Sequence, residues 1–164
     1  MRIVVMGVSG CGKTTLGEAL AAALGLPYVE GDALHSPQNV ARMAAGVPLT
    51  DADRQEWLHE VGQQLARARD GVVVSCSALK RSYRDLLRRA APDLRLVYLR
   101  GEPPVLAQRL AARRGHYMPA SLLQSQLDTL EPPAPDEHAI EVDGSDPPAQ
   151  VLANVRRQLQ GPPA

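Results

Sequence analysis

The spacing of apolar positions changes along the chain, and each change marks a structural element. Residues 2–6 (Arg-Ile-Val-Val-Met) form a short β-branched run that stops at Gly7, the pattern of a buried strand. After GVSGCGKTT, Leu16, Leu20 and Leu24 recur at i, i+4 and i+8, the stripe of an amphipathic helix, which Gly25 ends. Pro27 begins a second strand running to Glu30. Ser36-Pro37 and Thr50-Asp51 open helices over 36–46 and 51–69, and Gly46 and Gly71 close them. Residues 72–75 are an apolar strand, 79–90 a basic helix, 94–99 another strand, and 103–113 a helix started by proline. A polar connection over 113–119 leads to a short helix at 120–130. A proline-rich loop at 131–137, a last strand at 138–142 and a closing helix with Val151, Leu152, Val155 and Leu159 on its apolar face complete the chain. Strands alternating with helices at this spacing predict one α/β domain over 1–164, with a parallel sheet covered on both faces.

Composition then narrows the function classes. At 164 residues and 45% apolar content there is material for one core and none for a second domain. Lys plus Arg and Asp plus Glu are 18 each, so the net charge is zero, which argues against a nucleic-acid or acidic-membrane binder. No apolar run approaches the ~20 residues of a membrane span. The opening MRIVVMGV runs straight into a motif without a signal-peptide pattern, and the expectation is a cytoplasmic protein. Two cysteines, Cys11 and Cys76, are too few for a disulfide scaffold and fit small buried residues; an oxidation-sensitive site is the alternative. The cations are 16 Arg against two Lys, Lys13 and Lys80. Where arginine is so favoured, the two lysines mark places where a compact ammonium is needed.

Gly7-Val8-Ser9-Gly10-Cys11-Gly12-Lys13-Thr14 satisfies G-x-x-x-x-G-K-[ST] and sits between a predicted strand and a predicted helix, the context that motif requires. Its glycines let backbone N–H groups wrap a phosphate, and the helix N-terminus adds partial positive charge. Lys13 is expected to reach the β- and γ-phosphates and the Thr14 hydroxyl to ligate Mg²⁺. No Asn-Lys-x-Asp guanine signature occurs, and strand 72–75 ends in Ser75-Cys76-Ser77 without a magnesium-binding Asp. The nearest acid follows the second strand, at Asp32. From the carboxyl end of a parallel strand it would face the phosphate loop, to orient hydrated Mg²⁺ or to accept a proton from an attacking hydroxyl.

The acceptor side gathers Asp32, His35, Arg54, Lys80, Arg81 and Arg84. Lys80 and Arg84 are four apart and are expected to share one helical face, which suggests an anionic small substrate. Arg88 and Arg89 fit a solvated face. Arg109 and Arg113, also four apart, enter the polar segment 113–117, which could close over ATP and bring an arginine to the transferring phosphate.

With these residues in hand, the sequence resembles the P-loop gluconokinases. GVSGCGKT resembles their opening motif, and GDALHSPQNVARMAAGVPLTDADRQEWL their stretch from Gly-Asp-x-x-His to Trp-Leu. CSALKRSYRDLLR resembles their third block and RLAARRGHYMPASLLQSQLDTLEPP their lid region; the blocks run in order over about 3–133. The resemblance implies a three-layer P-loop NTPase of the nucleoside-monophosphate-kinase-like type. It would have a five-stranded parallel sheet, helices on both faces and a small lid at about 113–126. It also implies ATP and Mg²⁺ as cofactors, transfer to the terminal hydroxyl of D-gluconate, and commonly a homodimer. Carried over by residue, Gly10 to Thr15, Thr15 included, would hold phosphates. Asp32, His35, Arg54, Lys80 and Arg84 would form the gluconate side, and Arg109 and Arg113 would be lid arginines. Asp32, Lys13 and Arg113 would carry the chemistry. The alternatives are a kinase for another small acceptor, such as shikimate or a nucleoside monophosphate, or a nucleotide sensor without turnover. Against shikimate, Asp32-Ala33-Leu34 lacks that family's Asp-x-Asp pair.

Overall fold

The computed structural model describes residues 1–112 and 122–161. Five strands, β1 (Arg2–Met6), β2 (Tyr28–Glu30), β3 (Val72–Ser75), β4 (Arg95–Arg100) and β5 (Ile140–Asp143), form one sheet in the order β2-β3-β1-β4-β5. Every pairing is parallel, with Ile3 opposite Val73 on one side and Val4 opposite Leu96 on the other. The helices are α1 (Lys13–Leu24), α2 (Pro37–Ala44), α3 (Asp51–Arg67), α4 (Arg81–Ala90), α5 (Pro103–Ala112), α6 (Leu123–Thr129) and α7 (Pro148–Gln160).

Two-residue alternation in the strands divides the core between the faces of the sheet. Ile3, Val5, Val73 and Val97 turn one way and pack with Leu16 and Leu20 of α1, Leu106 of α5 and Val151, Val155 and Leu159 of α7. Val4, Met6, Val72 and Val74 turn the other way, onto Trp57, Leu58, Val61 and Leu65 of α3 and Tyr83 and Leu87 of α4. The result is the expected three-layer α/β arrangement.

The helix starts follow from local chemistry. Ser36 caps α2, its hydroxyl accepting the Asn39 N–H at 3.2 Å with Pro37 in the first turn. Thr50 and Asp53 form a reciprocal box at the start of α3, with bonds of 3.1 and 2.9 Å. Several boundaries differ from the sequence pattern, two of them next to charged residues of interest. The helix expected at 79–90 begins at Arg81, because Lys80 is extended (φ −97°, ψ 148°) and flanks it as the cap residue. The last strand starts at Ile140, after a 3₁₀ turn over Pro135–Glu137 and a left-handed His138 (φ +51°). A second 3₁₀ turn, Gly31–Leu34, follows β2 and carries Asp32.

Because all strands run the same way, their carboxyl ends share one edge, where residues 7–12, 31–35 and 76–80 converge. Gly31 makes that convergence possible: a Cβ there would lie 2.2 Å from the Ser75 carbonyl oxygen. The Gly31 carbonyl in turn accepts the Trp57 indole N–H at 2.8 Å, so α3 holds the turn from the other side. Gly31→Ala is expected to force the ends of β2 and β3 apart and to cost about 1–3 kcal/mol, the range for an overpacked site. Urea denaturation would measure the loss, and an unchanged midpoint would show that the turn is free to move.

Candidate active site

The phosphate loop wraps from β1 into α1. Val8, Ser9, Gly10 and Cys11 are buried, and Gly7 (φ +153°) leaves no room for a side chain, with a Cβ meeting the Leu99 carbonyl oxygen at 2.6 Å. Lys13 is buried and its Nζ donates to the Val8 carbonyl at 3.2 Å, so the ammonium lies across the mouth of the loop. Thr14 donates its hydroxyl to Glu30 Oε2 at 2.6 Å. Tyr28 also donates to that carboxylate, at 2.8 Å, and its hydroxyl lies 2.7 Å from Ser75 Oγ, which donates to the Lys13 carbonyl at 3.2 Å. Two hard oxygen donors, Thr14 and Glu30, therefore stand together at the start of α1, the donor chemistry that suits Mg²⁺.

Beside the loop is a cavity of about 390 Å³, lined by Thr15, Leu16, Leu99, Arg109, Asp146 and Val151 among others. Arg109 crosses it, donating to the Gly144 carbonyl at 3.0 Å and to the carbonyls of Gly10 and Cys11 at 3.4 Å. Arg113 lies outside the described residues, as does most of the expected lid segment.

Asp32 is half-buried on its 3₁₀ turn. Burial pushes the Cys11 and Cys76 thiols up, Asp32 adds its charge in the same direction, and Lys13 partly offsets both. Both thiols therefore stay protonated at neutral pH, as expected of small core residues. Asp32 itself follows β2 at the carboxyl edge of the sheet, and Gly31 beside it packs against the end of β3. His35 stacks on Trp57 with ring centroids 4.1 Å apart. Burial, reinforced by the nearby Arg54 cation, lowers His35 to about 4, so the ring is neutral at pH 7. Arg54 donates to the Leu49 carbonyl at 2.8 Å and to the Tyr83 hydroxyl at 3.1 Å. Lys80 pairs with Asp51 at 3.0 Å, and its ammonium sits 5.7 Å from the Tyr83 ring centre. Tyr83 also donates a short hydrogen bond to Asp51.

The family described as an AAA domain matches residues 3–133. A gluconokinase of Gluconobacter oxydans (strain 621H) is 50% identical over 161 residues, covering 96% of this chain and 90% of that protein. The chain belongs to the gluconokinase family. Also similar is the thermosensitive gluconokinase of Escherichia coli (strain K12), 39% identical over 84% of this chain and 75% of its own length. The crystal structure of a gluconokinase from Sinorhizobium meliloti 1021 superposes with a TM-score of 0.86 at 53% identity, covering 96% of this chain and 92% of that one. A shikimate kinase from Aquifex aeolicus shares the fold, with a TM-score of 0.61 at 18% identity over 98% of this chain and 97% of that one.

Within this gluconokinase fold the expected residues divide unequally. Lys13, Thr14, Thr15 and Arg109 belong to the phosphate loop or border its cavity; Asp32 and His35 lie on and just after the turn following β2, and Arg54 and Lys80 meet on Tyr83. Arg84 does not join them. It is 2% exposed, and its guanidinium is fully used: Nε and Nη2 on Glu137 at 2.7 and 3.0 Å, Nη1 on the carbonyls of Ala78 and Leu79, and Nη2 also on that of Glu131. The i, i+4 argument fails because Lys80 precedes the helix, so the two side chains do not share a helical face. Arg84 is a buried strut between α4 and the loop before β5. For Glu137, burial alone would raise the carboxyl, but the bonds from Arg84, the Ala134 N–H and Arg88 outweigh it and hold the group down at about 2.

Sequence reasoning missed Glu30, Asp51 and Tyr83. The argument from a missing acid pair overlooked Glu30, two residues before Asp32, which was visible as Glu-x-Asp. Nothing in the sequence singled out Tyr83, because its role depends on α3 and α4 lying side by side.

Arg84→Ala is expected to cost about 3–5 kcal/mol, since it strands the Glu137 charge in the interior; chemical denaturation would report it. His35 gives a pH signature. Its folded value lies below the ordinary 6.5, so its neutral form contributes stability above pH 6.5 that is lost as pH falls toward about 4. Unfolding free energies between pH 7 and 4.5 should show that slope, and His35→Gln should flatten it.

Proposed function

We propose that this protein is an ATP-dependent gluconokinase. It would transfer the γ-phosphoryl group to the 6-hydroxyl of D-gluconate, giving 6-phosphogluconate and ADP. One observation supports the reading beyond family membership: a carboxylate, Asp32, stands on the turn after β2, at the carboxyl edge of the sheet that also bears the phosphate loop, while two cations, Arg54 and Lys80, meet on Tyr83. A short acid with a hydroxyl at one end and a carboxylate at the other would use both kinds of group, the carboxylate for its hydroxyl and the cations for its charge.

In this reading the loop N–H groups and Lys13 hold the β- and γ-phosphates. Thr14 and Glu30 would hold Mg²⁺, which when bound neutralises charge on the phosphates. Asp32 orients the attacking hydroxyl and takes its proton as the new O–P bond forms and ADP leaves. Neutral His35 is suited to hydrogen-bonding a polyol hydroxyl, and Arg54 and Lys80 to receiving the carboxylate, with Lys80 exchanging Asp51 for the substrate. Arg109 belongs to the nucleotide side, and Arg113 is assigned as a second lid arginine on the resemblance alone. A cytoplasmic homodimer goes with the same resemblance.

The test is ATP turnover with Mg²⁺ and gluconate, shikimate, AMP or no acceptor. Turnover with gluconate alone supports the proposal, and turnover with another acceptor instead would overturn it. Asp32→Asn should reduce kcat by about 10²–10⁴, the usual span for a general base, while the KM for ATP changes little.

A further inference from the structure

One buried polar contact at the phosphate loop has no part in the scheme above. Gln126 of α6 reaches across 117 residues of sequence to the phosphate loop, where its Oε1 accepts the Ser9 N–H at 2.7 Å. Its Nε2 donates to Ser9 Oγ at 3.1 Å. Both residues are buried, Ser9 at 5% exposure and Gln126 at 8%. Burying an amide costs desolvation that an apolar residue of similar size such as Met avoids, so space filling alone does not explain the choice.

The position of the contact does. The Ser9 N–H belongs to the same peptide unit as the Val8 carbonyl, which accepts from Lys13 Nζ at 3.2 Å. A single peptide plane is thus held from both edges, by the ammonium that meets the β- and γ-phosphates and by the amide of α6. If that plane turned over, the Ser9 N–H would point at the Lys13 ammonium and the Val8 carbonyl at Gln126 Oε1, and both hydrogen bonds would be lost. The helix does not need the amide for its own placement, because Leu123 and Leu127 dock α6 in the core with Leu16, Val5 and their neighbours.

We propose that Gln126 is a positioning residue for phosphoryl transfer: through the Val8–Ser9 peptide it sets the γ-phosphate end of the loop and the presentation of Lys13. The proposal rests on the kinase reading for its rate measurement and on nucleotide binding alone for its second readout.

The experiment compares full-length Gln126→Met and Gln126→Asn with the unsubstituted protein. Steady-state kinetics with ATP and gluconate would be paired with calorimetric affinities for ADP and a non-hydrolysable ATP analogue. Gln126→Met should lower kcat roughly tenfold and weaken the analogue several-fold relative to ADP, while ADP affinity and gluconate KM stay within about twofold. Gln126→Asn, one methylene too short to reach, should behave alike and serves if the Met variant fails to fold. Unchanged kcat and an unchanged analogue-to-ADP ratio would overturn the proposal. So would a parallel fall in both affinities together with thermal stability, the mark of a merely structural residue. If the unsubstituted protein does not phosphorylate gluconate, the functional reading fails, and the analogue-to-ADP ratio still decides the role of Gln126.

Discussion

A phosphate cradle made of backbone N–H groups has to be shaped from outside, because its glycines have no side chains with which to brace it. Much of the surrounding structure answers that constraint. The start of α1 is held by Ser75 on the Lys13 carbonyl and by Glu30 on the Thr14 hydroxyl. Arg109 takes the carbonyls of Gly10 and Cys11, and Gln126 takes the N–H of Ser9. These braces come from β3, β2, α5 and α6, so four separate stretches of chain must be in place before the loop has its shape.

The facing side is organised around two aromatic rings. Trp57 anchors the Asp32 turn through the Gly31 carbonyl and carries His35 on its face. Tyr83 gathers Arg54, Lys80 and Asp51, and its ring lies 5.6 Å from the Arg54 guanidinium carbon and 5.7 Å from the Lys80 ammonium. Both rings are rooted in the core on the α3–α4 face of the sheet, which lets half-exposed cations be positioned by rigid neighbours. Beneath them the Arg84–Glu137 pair joins α4 to the loop before β5. A pair so deeply buried is weak evidence for stability in itself, but removing either partner would leave an uncompensated charge in the interior.

Much was legible in the chain before any coordinates. Gly-x-x-x-x-Gly-Lys-Thr between a β-branched run and a Leu16–Leu20–Leu24 stripe specifies the loop, its strand and its helix through local rules. The same holds for Ser36-Pro37 and Thr50-Asp51 as helix starts. Asp32 could be placed at the site edge because a parallel strand delivers its carboxyl end there. The resemblance to the gluconokinase family in successive blocks pointed to the family that the comparisons then showed.

Tertiary structure decided which charged side chains are available and which are spent. Lys80 and Arg84 are indistinguishable by spacing, yet one pairs at the surface with Asp51 and the other is saturated in the interior by Glu137 and three carbonyls. Gln126 and Ser9 likewise have no sequence relation that would join them. Periodicity and turn chemistry are local, so a sequence displays them directly; the partner of a buried polar group depends on which distant segments packing brings within hydrogen-bond reach.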